Sequence, residues 1–172
     1  MTPLSRWRSI PAMTAAAASA FGPKIAVVDG DRQLSYDELF DQARSFGSAL
    51  VASGLEPGEG VAIWAFNCLE WVIAALGALS AGAVVVPVNT RFKGAEAADV
   101  LSRSGARALV TVNGFLNVDY VEMLRSSGVA LPALATMVVA HGTASAGTEP
   151  WENSSASKRR GWRRRWGWRP AP

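Results

Sequence analysis

The 172-residue chain is 49% hydrophobic, which is enough to build the core of one domain of ordinary size. Its net charge of +3 depends on the last twenty residues, which hold seven of the 17 basic residues and no acidic one. The rest of the chain holds all 14 acidic residues against ten basic ones, so its charge argues against a nucleic-acid-binding surface there.

The N-terminal segment allows two interpretations. Early arginines, an alanine-rich middle and the small residues Ala18-Ser19-Ala20 give the outline of a secretory signal peptide. Pro11 and Thr14 interrupt the apolar middle, however, and favour a short helix instead. We therefore predict a flexible segment at residues 1–9 and a helix over Pro11–Phe21.

A β-hairpin and a long helix are predicted next. The runs Ile25–Val28 and Gln33–Leu34 flank Asp29-Gly30-Asp31, which is typical of a tight hairpin turn. Ser35 and Glu38 stand three residues apart, which is the spacing of a capping box at a helix start.

The helix is predicted to bury one face. Its apolar residues recur every three or four positions, which places them on one side of a helix. These residues are Leu39, Ala43, Phe46 and Leu50. Gly54 is predicted to end the helix, because glycine adopts the left-handed conformation at little steric cost.

From residue 61 the chain alternates four predicted strands with three predicted helices. The strands are Val61–Trp64, Val84–Val88, Ala108–Val112 and Thr136–Ala140. The first helix is predicted to start at a second capping pair, Asn67 and Glu70, and to end at Gly82. The other two are predicted over Ala95–Ser104 and Val118–Ser127. This order predicts right-handed βαβ units, hence an α/β fold with a mainly parallel sheet and flanking helices. The valine run predicts a strand covered on both faces.

One stretch resembles a membrane span. The twenty residues from Trp71 to Thr90 carry no charge. A stretch of this length is long enough for a helix that spans a membrane. Gly82 and Pro87 divide the stretch, and its valine run favours a strand. A helix followed by a strand therefore accounts for it, and we predict no membrane span.

The single cysteine, Cys68, excludes a disulfide within the chain and fits a reducing, cytoplasmic location. Its place beside an apolar helix favours a buried small side chain over a nucleophile.

Three sequence blocks resemble the N-terminal region of the AMP-forming acyl-CoA synthetases, a group of adenylate-forming (AMP-binding) enzymes. The blocks are LSYDEL (34–39), NCLEWVIAALGA (67–78) and LSAGAVVVPVNTR (79–91). They match in order and spacing as well as in letters, and the resemblance covers residues 10–150. It implies that this segment is an incomplete N-terminal AMP-binding-type domain, a partial subdomain of such an enzyme.

The resemblance also implies a chemistry. The complete family enzymes use ATP and Mg²⁺ to convert a carboxylic acid into an acyl-adenylate, and coenzyme A then displaces AMP. Fatty acids and ring-derived acids both remain open as substrates.

Arg91 is the one candidate cofactor-binding residue. The family arginine at this point can approach a phosphate of coenzyme A. Arg91 also follows a predicted strand, at the edge where parallel sheets bind ligands. The alternative is an arginine that is solvated or paired with a surface carboxylate.

The phosphate-binding and catalytic parts of that family are not recognisable in the sequence. The stretch nearest to a phosphate loop, HGTASAGTEP (141–150), has no lysine and contains Glu149, so we interpret it as a mobile linker. His141 has no catalytic partner that spacing identifies, and one cysteine with one histidine predicts no metal site. We therefore predict no catalytic residue, no bound cofactor and no ligase activity for this chain alone.

The tail, residues 151–172, supports several hypotheses. Its charge and low complexity predict disorder. Its residue types are those of GC-rich codons, which suggests an out-of-frame extension of a truncated ligase. Alternatively, its arginines with Trp162, Trp166 and Trp168 give non-specific nucleic-acid or polyanion binding. A third alternative is a non-catalytic scaffold. A sheet cut short also predicts self-association or aggregation.

Overall fold

The computed structural model describes residues 7–155, which form a two-stranded antiparallel hairpin and a five-stranded sheet with helices. The helices are α1 (Ile10–Phe21), α2 (Tyr36–Ala52), α3 (Leu69–Ser80), α4 (Gly94–Ser104), α5 (Tyr120–Arg125) and α6 (Trp151–Ser155). The strands are β1 (Ile25–Asp29), β2 (Arg32–Ser35), β3 (Gly60–Trp64), β4 (Val84–Pro87), β5 (Ala106–Val112), β6 (Thr136–His141) and β7 (Glu149–Pro150). The predicted α/β class is confirmed, and so is the hairpin.

The larger sheet has the order β4-β3-β5-β6-β7, and every neighbouring pair in it is parallel. The chain leaves β3 to form β4 on one side and then returns to form β5 on the other. Such a reversal opens a crevice at the carboxyl ends of the strands, where open parallel sheets bind ligands. The loops after β3, β5 and β6 therefore meet at one edge.

The start of α2 follows the predicted capping box. The Glu38 backbone N–H donates to Ser35 Oγ at 3.2 Å, and the Ser35 backbone N–H donates to Glu38 Oε2 at 2.8 Å. The predicted apolar face is buried throughout. The helix ends at Ala52, and Gly54 follows with a φ of +94°, a value that favours glycine.

Helices α2 and α3 pack closely because glycine stands on both sides of their contact. A Cβ at Gly77 would lie 2.7 Å from the Ala43 carbonyl oxygen, and one at Gly47 would lie 2.6 Å from the Gly77 carbonyl oxygen. Both distances are too short for a real side chain. The two helices together with α1 and α6 form one packed group, and α4 and α5 form another.

The prediction that the valine run is covered on both faces is wrong. The run forms β4, which is the edge strand of the sheet, and Val84 is 53% exposed. Valine favours strands because its branched side chain packs well on a pleated surface. That preference does not determine whether a strand lies at the centre or the edge, which depends on the order of pairing.

Two predicted helix starts differ from the structure. Helix α3 begins after Cys68, whose side chain forms no capping bond, so Asn67 and Glu70 are not a capping pair. The Asp29 carboxylate of the hairpin accepts instead from the Leu69 N–H at 3.1 Å. Helix α5 is shorter than predicted, because a 3₁₀ turn at Phe115–Asn117 precedes it and the Asp119 carboxylate caps it by accepting from the Glu122 N–H at 2.9 Å.

The C-terminal boundary also differs from the prediction. Glu149–Pro150, placed in a linker, forms β7 beside β6. Trp151, placed in the tail, begins α6 and is only 8% exposed, because its ring stacks on Phe46 with centroids 5.0 Å apart. The rest of the predicted disordered tail, residues 156–172, lies outside the described residues, as do residues 1–6 of the predicted flexible N-terminus.

The uncharged stretch from Trp71 to Thr90 divides into α3 and β4, as predicted. Within residues 7–155, no helix has both the length and the apolar content that crossing a bilayer requires.

Candidate functional site

A buried carboxylate lies at the carboxyl-end edge of the sheet. Glu70, in the first turn of α3, is 6% exposed. Arg32 of β2 donates to both of its oxygens, from Nη1 to Oε1 at 2.6 Å and from Nη2 to Oε2 at 3.1 Å. On the other side, His141 Nε2 at the end of β6 lies 2.7 Å from Glu70 Oε2. One carboxylate therefore joins the hairpin, α3 and the sheet.

The partners of Glu70 keep it ionised. Burial raises the pKa of the carboxyl, but the hydrogen bond from Arg32 and those from the backbone and His141 outweigh burial and lower the pKa to about 2. In return, the hydrogen bond to Glu70 raises the pKa of Arg32 above its usual range. Arg32 Nη2 also donates to Asp29 Oδ2 at 2.7 Å, so the guanidinium bridges two carboxylates.

Cys68 lies next to this network. The side chain is 5% exposed, which confirms the predicted burial. Burial, together with the nearby charge of Glu70, raises the pKa of the thiol to about 11. A thiol with such a pKa is a poor nucleophile at neutral pH, because the thiolate is the reactive form. The Sγ of Cys68, a carboxylate oxygen of Glu70 and a ring nitrogen of His141 all lie within 4.8 Å of one another.

The sequence did not identify this cluster. Arg32 and Glu70 are 38 residues apart, and Glu70 and His141 are 71 apart. Sequence spacing predicts only a helix cap for Glu70 and no partner for His141. The one available signal was an acidic residue within an otherwise uncharged, apolar segment, since such a residue needs a partner if it is buried. Spacing along the chain predicts no metal site from one cysteine and one histidine, whereas the fold places Cys68 and His141 beside Glu70.

Two buried aromatic residues fix the loop after β4. Trp64 and Tyr120 pack edge to face with centroids 4.8 Å apart. Trp64 Nε1 donates to the Asn89 carbonyl at 2.9 Å, and the Tyr120 hydroxyl donates to the Thr90 carbonyl at 3.1 Å. These bonds hold the backbone immediately before Arg91.

The candidate residue Arg91 lies at the surface in that loop. Its backbone N–H donates to Asn89 Oδ1 at 2.9 Å. The side chain is exposed and forms no ion pair with another residue of 7–155. Arg91 lies past the carboxyl end of β4, as predicted from the sequence. His141 lies at the carboxyl end of β6, on the opposite side of β3 and β5.

A surface depression of about 510 Å³ lies between the loops that follow β5 and β6. Asn113 organises it, donating from Nδ2 to the Thr143 carbonyl at 2.9 Å and accepting at Oδ1 from the Val121 N–H at 3.3 Å. Asp119 lines it and no basic side chain does. A site that binds a nucleoside triphosphate needs positive charge or several backbone N–H donors around the phosphates. Among the described residues, the lining of the depression therefore supplies no positively charged side chain for the phosphates of ATP.

The segment interpreted as a mobile linker is attached to the fold at several points. Besides the Asn113 bond, Arg125 Nη2 donates to the Ala146 carbonyl, and Thr148 donates to the Ser145 carbonyl at 2.7 Å. The segment is therefore a hydrogen-bonded connection from β6 to β7 rather than a free linker.

Comparison with known proteins gives one family. The family model for AMP-binding enzymes matches residues 14–166. A curated relative from Rhodococcus jostii (strain RHA1), a "3-[(3aS,4S,7aS)-7a-methyl-1,5-dioxo-octahydro-1H-inden-4-yl]propanoyl:CoA ligase", is 42% identical over 136 residues, covering 78% of this chain and 26% of the relative. The ligase of the same name from Mycobacterium tuberculosis (strain ATCC 25618 / H37Rv) is 39% identical over 131 residues, covering 76% of this chain and 25% of the relative.

Solved structures agree on the fold. The anthranilate CoA ligase AuaEII in complex with anthranoyl-AMP superposes with a TM-score of 0.78 at 24% identity, covering 86% of this chain and 28% of that chain. A benzoate CoA ligase from Burkholderia xenovorans LB400 gives a TM-score of 0.68 at 26% identity, covering 78% and 26%.

The chain spans about a quarter of the length of these curated relatives. The family match covers most of its residues, and the relatives it resembles are acyl-CoA ligases. The resemblance carried by the three sequence blocks is therefore confirmed: the chain belongs to the AMP-binding enzyme family.

Proposed function

We propose that this chain provides the N-terminal scaffold of an ATP-dependent carboxylic acid–CoA ligase, which forms an acyl-adenylate and then an acyl-CoA. The observation that carries the proposal is the 42% identity to the Rhodococcus jostii CoA ligase named above, joined to the family match over residues 14–166. The substrate class is a carboxylic acid, and fatty and ring-derived acids both remain in it. Cytoplasm is the proposed location, in keeping with a chain that has a single cysteine.

In the complete ligase, ATP, Mg²⁺ and coenzyme A would supply the chemistry, and this segment would supply part of the fold. Phosphoryl chemistry depends on positive charge placed around the phosphates. The depression between the β5 and β6 loops lacks such charge among the described residues, so we propose that the 172-residue chain alone does not activate an acid. Acid-dependent ATP–pyrophosphate exchange measures this step directly, and exchange above the no-acid background would contradict the inactivity.

A chimera tests the scaffold. The 136 matched residues of the Rhodococcus jostii ligase are replaced by those of this chain, and acyl-CoA formation is measured with the acid from which that ligase takes its name. We expect the chimera to be active, because the exchanged segment supplies a fold compatible with the remaining residues of the ligase. The parent ligase, prepared in parallel, is the control. A chimera that is folded and monodisperse but forms neither adenylate nor acyl-CoA would overturn the proposal.

The same chimera tests the proposed contact of Arg91 with a phosphate of coenzyme A. We expect Arg91→Ala to raise the KM for coenzyme A about tenfold, as loss of a charge-assisted hydrogen bond would do. Pyrophosphate exchange should not change, because coenzyme A enters only the second step. Arg103→Ala, on the exposed face of α4, is the matched control. An unchanged KM in the Arg91 variant would refute the contact.

A further inference from the structure

The fold brings the single cysteine and the single histidine of the sequence together beside a buried carboxylate. Cys68 and His141 are 73 residues apart in sequence, and their ligand atoms lie within 4.8 Å of each other and of a Glu70 oxygen. Cys68 and Glu70 are held by the start of α3, and His141 by the end of β6. The start of α3 and the end of β6 thus place a sulfur, an oxygen and a nitrogen atom close together.

These three atoms are the ligand types that zinc-class metals prefer. Zinc binds thiolate at about 2.3 Å and imidazole nitrogen or carboxylate oxygen at about 2.0–2.2 Å, in a tetrahedron. Ligand atoms around such an ion are about 3–4 Å apart. The three atoms lie within 4.8 Å of one another, and His141 Nε2 and Glu70 Oε2 are hydrogen-bonded at 2.7 Å. To hold an ion, the sulfur must move closer and this hydrogen bond must open to the wider separation. Three protein ligands leave a fourth position for water.

The main competitor for the site is Arg32. Its guanidinium holds both oxygens of Glu70, but the arginine side chain is 47% exposed and also pairs with Asp29. It can therefore turn towards solvent while it keeps the Asp29 contact. A divalent ion would then replace the guanidinium as the positive charge against Glu70. The ion also displaces the proton of Cys68, because a coordinating thiol is deprotonated by the metal charge.

The site has a route to solvent on one side. The His141 side chain is 33% exposed, whereas the side chain of Glu70 is 8% exposed and Cys68 is 5% exposed. The rings of Phe66 and His141 lie 5.4 Å apart between centroids, so Phe66 packs beside the imidazole. An ion would meet the imidazole first and the thiolate last.

From this geometry we infer that Cys68, Glu70 and His141 form a binding site for a thiophilic divalent metal ion of the zinc class, in competition with Arg32. The test of this site measures metal binding directly and does not depend on ligase activity.

Cobalt(II) is the probe for the first experiment, because thiolate coordination gives a charge-transfer band in the near ultraviolet. The 172-residue chain contains one cysteine, so the band reports Cys68 alone. We expect a band that saturates at one cobalt per chain and that equimolar zinc removes. X-ray absorption at the zinc edge should then show one sulfur among nitrogen and oxygen ligands. Absence of the band, or a shell without sulfur, would overturn the inference.

Variants separate a metal site from a fortuitous thiol contact. His141→Gln and Glu70→Gln should weaken cobalt binding about tenfold or more. Arg32→Gln should tighten it about fivefold, because the competing positive charge is removed. Arg103→Gln, which loses only an exposed pair with Asp99, should have no effect. Circular dichroism establishes that each variant is folded. Unchanged affinity in a folded His141→Gln chain would also overturn the site, whatever the wild-type spectrum shows.

Discussion

Glu70 carries a buried negative charge that residues from two other elements contact. Arg32 comes from the hairpin and His141 from the central sheet, and both contact the same carboxylate. Breaking such a buried pair by removing one partner leaves a charge without compensation, which costs more than losing a surface pair. The attachment of the hairpin to the rest of the domain therefore depends strongly on this one side chain.

The pH dependence of stability should follow from Glu70. The pKa of its carboxyl is about 2 in the folded chain, below its ordinary value of 4.5. A lowered folded-state pKa contributes stability that is present above about 4.5 and is lost as the pH falls towards 2. We expect Glu70→Gln to lower the free energy of unfolding by about 2 kcal/mol at pH 7. Between pH 4.5 and pH 2, the variant should lose less of its free energy of unfolding than the wild type does.

Urea unfolding of both proteins at several pH values measures this effect. Asp41→Asn is the matched control, because Asp41 is 76% exposed and makes only a surface pair with Arg44. Parallel pH profiles for wild type and Glu70→Gln would show that the carboxylate is not the group responsible.

At the scale of the elements, the contact between α2 and α3 determines how closely the helices pack over the sheet. Gly47 and Gly77 face each other across it, and neither position leaves room for a Cβ. Phe46 lies in the same contact, and its ring stacks against the ring of Trp151. A change in this spacing would therefore extend to α6, the element furthest along the described chain.

Gly77→Ala should destabilise the domain although alanine favours helices. The new Cβ would lie 2.7 Å from the Ala43 carbonyl and 3.0 Å from a Phe46 ring carbon, so the helices must separate. We expect a loss of about 1–3 kcal/mol in the free energy of unfolding, as for other overpacked cores. Denaturant unfolding provides the measurement, and Asp41→Ala on the exposed side of α2 should change it by less than about 0.5 kcal/mol. A stabilised Gly77→Ala chain would refute the close contact.

On the scale of the whole molecule, β4 forms one of the two outer edges of the larger sheet, and β7, of two residues, forms the other. Among the described residues, β4 pairs only with β3, and its other side presents backbone groups and the exposed Val84. An exposed edge of this kind is a template for pairing with another chain. We therefore predict that any self-association of the chain occurs through the β4 edge.

Val84→Lys should reduce self-association, because a charged side chain on an edge strand disfavours pairing of a second chain. Sedimentation velocity over a range of concentrations would measure the change. The matched control is Val129→Lys, since Val129 is 43% exposed and lies between α5 and β6. Equal effects of the two substitutions would attribute any change to net charge rather than to the edge.

The basic tail gives a second prediction for the whole chain. Its seven basic residues should release counterions when they contact phosphates, so single-stranded DNA should bind at low salt and dissociate as salt rises. A chain that ends at Ser155 keeps the Trp151 contact and should bind at least about tenfold more weakly. Fluorescence anisotropy with labelled oligonucleotides measures both proteins. Equal binding by the shorter chain would assign the affinity to the acidic body and contradict the prediction.

The sequence by itself determined the local structure and the family. The Ser35 and Glu38 cap, the buried face from Leu39 to Leu50 and the alternation of strands and helices depend on residues close together in the chain. Short-range spacing is therefore sufficient to predict them. The family blocks are also contiguous, which explains why the comparisons confirm them.

Only the tertiary structure decided which strand lies at the edge and which distant residues meet. The valines of β4 fit a central strand as well as an edge strand, and strand order selects between the two. Glu70 contacts Arg32 and His141 because β2, α3 and β6 converge, although up to 71 residues separate them in sequence. Such contacts depend on how the elements pack, and no local pattern along the chain encodes them.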